Sequence, residues 1–167
     1  MLTQILSARQ VHQKIRRLAY QIYENHFDET EIVLVGIENM GLHLAYLLQR
    51  EIQAVSPLKV RLCSLKLDKT APLSQPIQIS EDIANLAHKS IILIDDVLNS
   101  GKTMFYAFKP FFEIPIKSLQ TLVLVNRDNK LFPINPDYVG YSLATTLQNH
   151  VSVILDDESK FGVYLSQ

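Results

Sequence analysis

The sequence predicts an α/β fold: one mostly parallel central sheet with helices on both faces. Three observations carry that prediction. Short continuous apolar runs rich in β-branched residues occur at Glu31–Ile37, Ser90–Asp95 and Leu119–Asn126, the pattern of strands buried on both faces. Segments of helical period stand between them, and strands alternating with helices give a parallel sheet covered on both sides. The chain has 167 residues, 47% of them hydrophobic, enough for one domain spanning 1–167 with a substantial core.

Taken in order, Val11, Ile15, Leu18 and Ile22 form an apolar stripe at helical spacing. Ser7 followed by Gln10 is a capping box, so a helix is expected from Ser7 to about Asn25. Glu31–Ile37 is a strand, broken by glycine and asparagine, and Leu42–Glu51 reads as a helix. Val60–Leu67 is a third apolar stretch and a strand. Asp68–Ser80 carries Pro72 and Pro76 and reads as a long loop or hairpin, a length that in compact domains is often functional. Ser90–Asp95 is a strand, Asp96–Ser100 a loop, and Gly101–Phe108 a helix stopped by Pro110. Leu119–Asn126 and Val151–Leu155 complete the strand candidates. Ligands of such sheets bind beyond the carboxyl ends of the strands, so the loops after Ile37, Ile94 and Val125 are the places to search.

Composition excludes several classes. The formal net charge is -1, from 16 basic and 17 acidic residues, so no global basic field draws in nucleic acid. Cys63 stands alone in an apolar stretch and is expected in the core; a multi-thiolate zinc site is excluded. His12, His26, His43, His88 and His150 lack metal-ligand spacing, leaving surface or helix positions for them, with His43 the one nearest a candidate loop. No apolar run approaches the roughly 20 residues that span a bilayer, and the N-terminus does not read as a secretory signal. A cytoplasmic location and no membrane partner are expected.

The chemistry lies in Ile91-Ile-Leu-Ile-Asp-Asp-Val-Leu-Asn-Ser-Gly-Lys-Thr103. An apolar strand ends in adjacent carboxylates, Asp95 and Asp96. A turn with Gly101 and a helix start with Ser100 and Thr103 follow. Two carboxylates can accept the vicinal hydroxyls of a ribose. Turn and helix-start amides suit a phosphate, and a glycine lets the backbone come close. One segment thus serves both ribose and 5′-phosphate. The Walker A reading fails because Asp96 stands where its first glycine belongs. The alternative is a plain strand–turn–helix junction, but two acids at the end of so apolar a strand would be costly without partners.

This segment resembles the ribose-phosphate loop of type I phosphoribosyltransferases. The resemblance extends to Ile32–Ile37 with Gly41, similar to the family's first strand and pyrophosphate loop, and to Leu122–Arg127 and Pro136–Gly140, similar to its late strand and hood. The order of blocks most resembles the pyrimidine-operon attenuators, bifunctional regulators with uracil phosphoribosyltransferase activity. The resemblance implies a type I phosphoribosyltransferase fold with a small hood. It implies transfer of the phosphoribosyl group of 5-phosphoribosyl-1-pyrophosphate (PRPP) to a nucleobase, uracil foremost, with Mg2+ brought by PRPP rather than by a dedicated protein cage. Asp95 and Asp96 would hold the ribose. Val97, Leu98, Asn99, Ser100, Gly101, Lys102 and Thr103 would form the 5′-phosphate loop, and Glu38, Asn39, Met40 and Gly41 the pyrophosphate loop. Tyr138 would pack on the base, or else fill core; the Val139 backbone would read the base edge, with Arg127 beside it. A homodimer is implied, and PRPP or a nucleoside monophosphate as ligand.

The chain departs from that pattern at Met40, where a basic residue is usual, and at Glu38, which repels an anion. Asn126 replaces an acid, and Asn99 replaces an acid of purine enzymes or a tyrosine of the attenuators. Arg127, Lys66 and Lys69 are the candidate substitute charges. These departures keep a second reading in play: a PRPP- or nucleotide-binding regulator of pyrimidine metabolism, an RNA-binding attenuator with weak or no catalysis. Arg16–Arg17, on the polar side of the first helix, are expected to be solvated, as is the turn Asp156–Glu158.

Overall fold

The computed structural model describes residues 1–144, 146 and 148–167. Among them a six-stranded sheet runs in the order β4-β3-β2-β5-β6-β7. Its strands are β2 (Glu31–Ile37), β3 (Lys59–Lys66), β4 (Gln78–Ile79), β5 (Ser90–Leu98), β6 (Ser118–Asn126) and β7 (Tyr138–Ser142). All pair in parallel except the two-residue β4, which folds back on β3. The Asp68–Ser80 segment is therefore a long hairpin-like excursion. The mostly parallel α/β architecture expected from the sequence is the one observed.

Strand β2 shows why these strands read as continuous apolar runs. Ile32 and Leu34 face one core with α1 (Ala8–His26) and α2 (Met40–Val55); Val33, Val35 and Ile37 face a second core with Met104, Ala107 and Phe111. Alternate side chains leave a strand on opposite sides, so burial on both faces removes any polar alternation. Helix α1 starts as its sequence says. Gln10 N donates to Ser7 Oγ at 3.3 Å, and Ser7 N donates to Gln10 Oε1 at 2.8 Å. Helix α2 is longer than the expected Leu42–Glu51 because Ile52 continues its buried stripe. Helix α3 is shorter than expected, Lys102–Ala107, and a 3₁₀ turn, Lys109–Glu113, takes over around Pro110.

A second sheet, order β1-β9-β8, is antiparallel: β1 (Leu2–Leu6), β8 (His150–Ile154) and β9 (Gly162–Ser166). It forms the hood. Val151–Leu155, expected as a strand, lies in this separate sheet rather than the central one. Leu6, Val151, Val153 and Val163 join the core beneath it. Among the described residues no helix is long and apolar enough to cross a membrane.

Arg17 departs from its expected setting, and His26 holds a helix position but is buried. Arg17 is not simply solvated: its Nη2 donates to Gly140 O at 2.6 Å and Val139 O at 3.2 Å. His26 is buried, with Nε2 2.8 Å from Gln120 Oε1 and Nδ1 3.5 Å from Glu29.

Candidate functional site

Strand β5 runs three residues beyond Asp95 because β6 continues to pair with it, Leu98 opposite Asn126. Its end carries the acid pair. Asp95 is only 3% exposed. Its Oδ1 accepts the Asp96 N–H at 2.9 Å and lies 3.3 Å from Lys69 Nζ. Burial pushes the Asp95 carboxyl well above the usual carboxylate range, the adjacent Asp96 charge adds to the rise, and Lys69 opposes it. Such a carboxyl is short of solvent and well served by hydroxyl donors from a ligand.

Lys69 reaches the pair from the long β3–β4 excursion. Asp68 Oδ1 accepts the N–H groups of Thr70 at 2.9 Å and Ala71 at 3.1 Å, a side-chain turn that fixes the backbone around Lys69. Lys102 Nζ ties the same segment down at Thr70 O, 3.5 Å away. Lys66 is exposed and lies on the strand beside Gln78.

After β5 the chain turns through Asn99, Ser100 and Gly101 into α3. Gly101 has φ 86°, a left-handed conformation that favours glycine. A Cβ there would also crowd Ile134, at 3.3 Å. The turn is braced from behind: Ser100 O accepts the N–H of Leu131 at 2.8 Å and of Phe132 at 3.0 Å. Lys102 N donates to Ser100 Oγ at 3.3 Å. Among the described residues no protein acceptor takes the amides of Ser100, Gly101 or Thr103, so they can meet an anion. Val97 and Leu98 also line the cleft while packing against the cores, and Leu98 contributes its carbonyl to Arg127 N at 3.0 Å.

The Glu38–Gly41 segment meets this wall edge-on. Glu38 N extends the β2–β3 pairing to Leu65 O at 2.9 Å, and the Glu38–Asn39 peptide is cis. Met40 packs against the core. Asn39 caps α2 through its carbonyl, which accepts Leu42 N at 3.2 Å and His43 N at 3.3 Å. At Gly41 an added Cβ would stand 2.7 Å from Ile94 O and 3.1 Å from Asp95 Oδ1. The structure thus brings Gly41, the acid pair and the β5–α3 turn together.

Arg127 is buried at 7% exposure. Its Nη1 donates to Asn99 Oδ1 at 2.8 Å, and its Nη2 to Asn149 O at 2.6 Å and Thr146 O at 3.1 Å. It ties the turn to the segment entering β8, an arrangement no local pattern announces. Tyr138 is elsewhere. It lies opposite Leu122 on β6, four residues short of the strand end at Asn126, and is buried with its OH between Asn25 Nδ2 (2.9 Å) and Gln120 Oε1 (3.0 Å). It fills core, and Val139 O is occupied by Arg17. Through Val123, Val139 stands in register with Asp95.

A cavity of about 150 Å³ is lined by Lys69, Asp95, Asn99 and the turn from Ser100 to Met104. A larger one, about 520 Å³, lies between α1, α2 and the β8–β9 turn and takes in His43. That cavity is lined by Asp156 and Glu158 together with His12, His43 and Arg50 and does not include the acid pair of β5, so chemistry rather than size marks the smaller cleft. Among the described residues no group of three or more His, Cys, Asp or Glu could hold a metal ion.

Residues 1–158 match the phosphoribosyl transferase domain family model. A relative described as bifunctional protein PyrR, from Gloeothece citriformis, is 31% identical over 91% of this chain and 89% of its own length. Another of that description, from Microcystis aeruginosa, is 32% identical over 98% and 97%. Among solved structures, a hypoxanthine-guanine phosphoribosyltransferase from Bacillus anthracis superposes with a TM-score of 0.77, at 20% identity over 98% of this chain and 96% of its own.

Proposed function

Because the chain belongs to the phosphoribosyl transferase domain family, and is by family a phosphoribosyltransferase, we propose that the β5 cleft binds PRPP and transfers its phosphoribosyl group to a nucleobase, uracil foremost. The observation that carries this is one wall that presents the buried Asp95 carboxyl, with the partly exposed Asp96 next to it, and three open turn amides. Asp95 and Asp96 accept the ribose hydroxyls. The turn amides, with Ser100 and Thr103, take the 5′-phosphate. Gly41 lets the Glu38–Gly41 segment assigned to pyrophosphate pack directly against Ile94 and Asp95, beside the acid pair. Met40 faces core, so positive charge for that group falls to Lys69, which already stands 3.3 Å from Asp95.

The base nitrogen's lone pair forms the bond to the anomeric carbon. The carbon–oxygen bond breaks with its electrons going to pyrophosphate. Positioning and charge stabilisation supply the acceleration in such a transfer. Magnesium carried by PRPP neutralises part of the leaving group's charge; the protein's share is to orient sugar and phosphate. The reading also carries a homodimer, and a cytoplasmic setting in which a lone buried Cys63 is ordinary. Its test is pyrophosphate release with PRPP, magnesium and a panel of nucleobases. Release with uracil is expected; folded protein that turns over no base contradicts it.

A second reading rests on Met40 and Glu38, which leave the Glu38–Gly41 segment without a cation, and on the relatives' description as bifunctional. It is a nucleotide-sensing regulator that binds RNA. Calorimetric binding of a nucleoside monophosphate without pyrophosphate release, plus an RNA affinity falling steeply with salt, would establish it.

A further inference from the structure

Lys69 crosses from the β3–β4 excursion into the cleft. Its Nζ lies 3.3 Å from Asp95 Oδ1 and 3.4 Å from Asp95 Oδ2, so one ammonium straddles the carboxyl. Oδ1 also accepts the Asp96 N–H, and a carboxylate has about four lone-pair sites in all. Lys69 thus takes lone pairs that a ribose hydroxyl would need. It also takes space: it lines the cleft, whose volume is about 150 Å³, below the roughly 300–1,000 Å³ of ordinary ligand pockets. The two ends of the contact are unequal. The Asp95 side chain is 5% exposed and belongs to a strand paired on both sides. The Lys69 side chain is 43% exposed, on a segment that leaves the sheet after Lys66 and rejoins it at Gln78. The ammonium is therefore the partner that moves.

We propose that Lys69 is a transferable counter-ion: it guards Asp95 and passes to the pyrophosphate when ribose hydroxyls take over that carboxyl, so the cleft selects PRPP over ribose 5-phosphate. The inference rests on the phosphoribosyl-transfer reading of the cleft. The hydroxyls of either ligand must displace the ammonium from Asp95. With PRPP, the displaced ammonium meets an anion on the neighbouring sugar carbon, and one charge-assisted hydrogen bond replaces another. Ribose 5-phosphate carries only a hydroxyl at that carbon, so the ion pair is lost without replacement. The move is short. Asp95 Oδ1, where Lys69 stands, is also the atom that a Cβ on Gly41 would approach to 3.1 Å, so the ammonium already borders the Glu38–Gly41 segment. That segment brings no cation of its own.

Trypsin reads the state of Lys69 directly, because it cleaves after a lysine whose side chain is free to enter its pocket. Cleavage of the Lys69–Thr70 bond is followed in wild-type protein with ribose 5-phosphate, with PRPP and magnesium, and with neither. Ribose 5-phosphate should speed that cleavage about threefold or more, and PRPP should return it to the ligand-free rate or below. Calorimetry of both ligands follows on wild type, Lys69→Met and Lys69→Arg. One hydrogen bond to a charged group corresponds to about tenfold in affinity. Lys69→Met should therefore cut the ratio of PRPP to ribose 5-phosphate affinity about tenfold or more, and Lys69→Arg, which keeps the charge, should restore most of it. Ribose 5-phosphate that binds without exposing the Lys69–Thr70 bond, or an unchanged affinity ratio in Lys69→Met, overturns the exchange alone. Wild-type protein that binds neither ligand overturns the reading of the cleft, and this inference with it.

Discussion

Replacing Gly41 by alanine probes the join between the Glu38–Gly41 segment and the acid pair. The new methyl would stand 2.7 Å from Ile94 O, 3.0 Å from Asp95 Cα and 3.1 Å from Asp95 Oδ1, where ordinary contact begins at 3.4 Å. Two of those atoms are backbone of β5, which is paired to strands on both sides. The start of α2 must therefore retreat by several tenths of an ångström. Overpacking of this kind costs about 2 kcal/mol, which lowers the melting midpoint of a chain this size by about 4–8 °C. The retreat also displaces the Glu38–Gly41 segment assigned to pyrophosphate. PRPP affinity measured by calorimetry should fall at least about tenfold, equivalent to about 1.4 kcal/mol. Ribose 5-phosphate, which does not reach that segment, should lose clearly less. A variant with wild-type melting and wild-type PRPP affinity would refute the packing argument. Equal losses for both ligands would remove Gly41 from the pyrophosphate site.

Asp95→Asn should leave the ligand-free protein as stable or more stable at neutral pH, by about 1 kcal/mol, because it removes a buried charge; thermal melts across pH check this. The sign follows from the raised folded-state carboxyl: its contribution to stability is present below the unfolded value near 4 and is lost as pH rises through the folded one. The wild type should therefore lose stability relative to Asp95→Asn as pH rises out of the acid range. Lys69→Met should weaken PRPP binding more than ribose 5-phosphate binding, and equal weakening would deny Lys69 a role at pyrophosphate. Cys63, buried and with its thiol pushed up to about 12 by burial and then by Glu81, should resist iodoacetamide at pH 8 until the protein is unfolded. Ser7→Ala should cost about 1 kcal/mol by removing the N-cap of α1, read as a lower denaturation midpoint.

The central sheet and the acid pair were legible in the sequence because they depend on local pattern. Ile91–Ile94 is apolar throughout because both faces are buried, and Asp95–Asp96 ends the run where the strand reaches the cleft. The hood was largely illegible. Strand β1 contains the exposed Leu2, 62% accessible, and exists because Leu2 pairs with Ser166 at the far end of the chain. No window of neighbouring residues carries that information. Arg127 was recognisable as a charge near the site, but its ties to Asn99, Thr146 and Asn149 are set by tertiary approach. Tyr138 illustrates the opposite error. The family resemblance implied a base platform there, with core as the alternative; the parallel register with β6 puts it at Leu122, where its OH meets Asn25 of α1 and its ring fills core.

The most direct test of the site is PRPP binding, with magnesium, by wild type and by the double variant Asp95→Asn, Asp96→Asn. Each carboxylate hydrogen bond to a ribose hydroxyl is worth about 1.5–3 kcal/mol, so losing both charges should weaken binding by about a hundredfold or more while the melting transition stays cooperative. A folded double variant that binds PRPP as tightly as the wild type contradicts the claim that these two side chains grip the sugar.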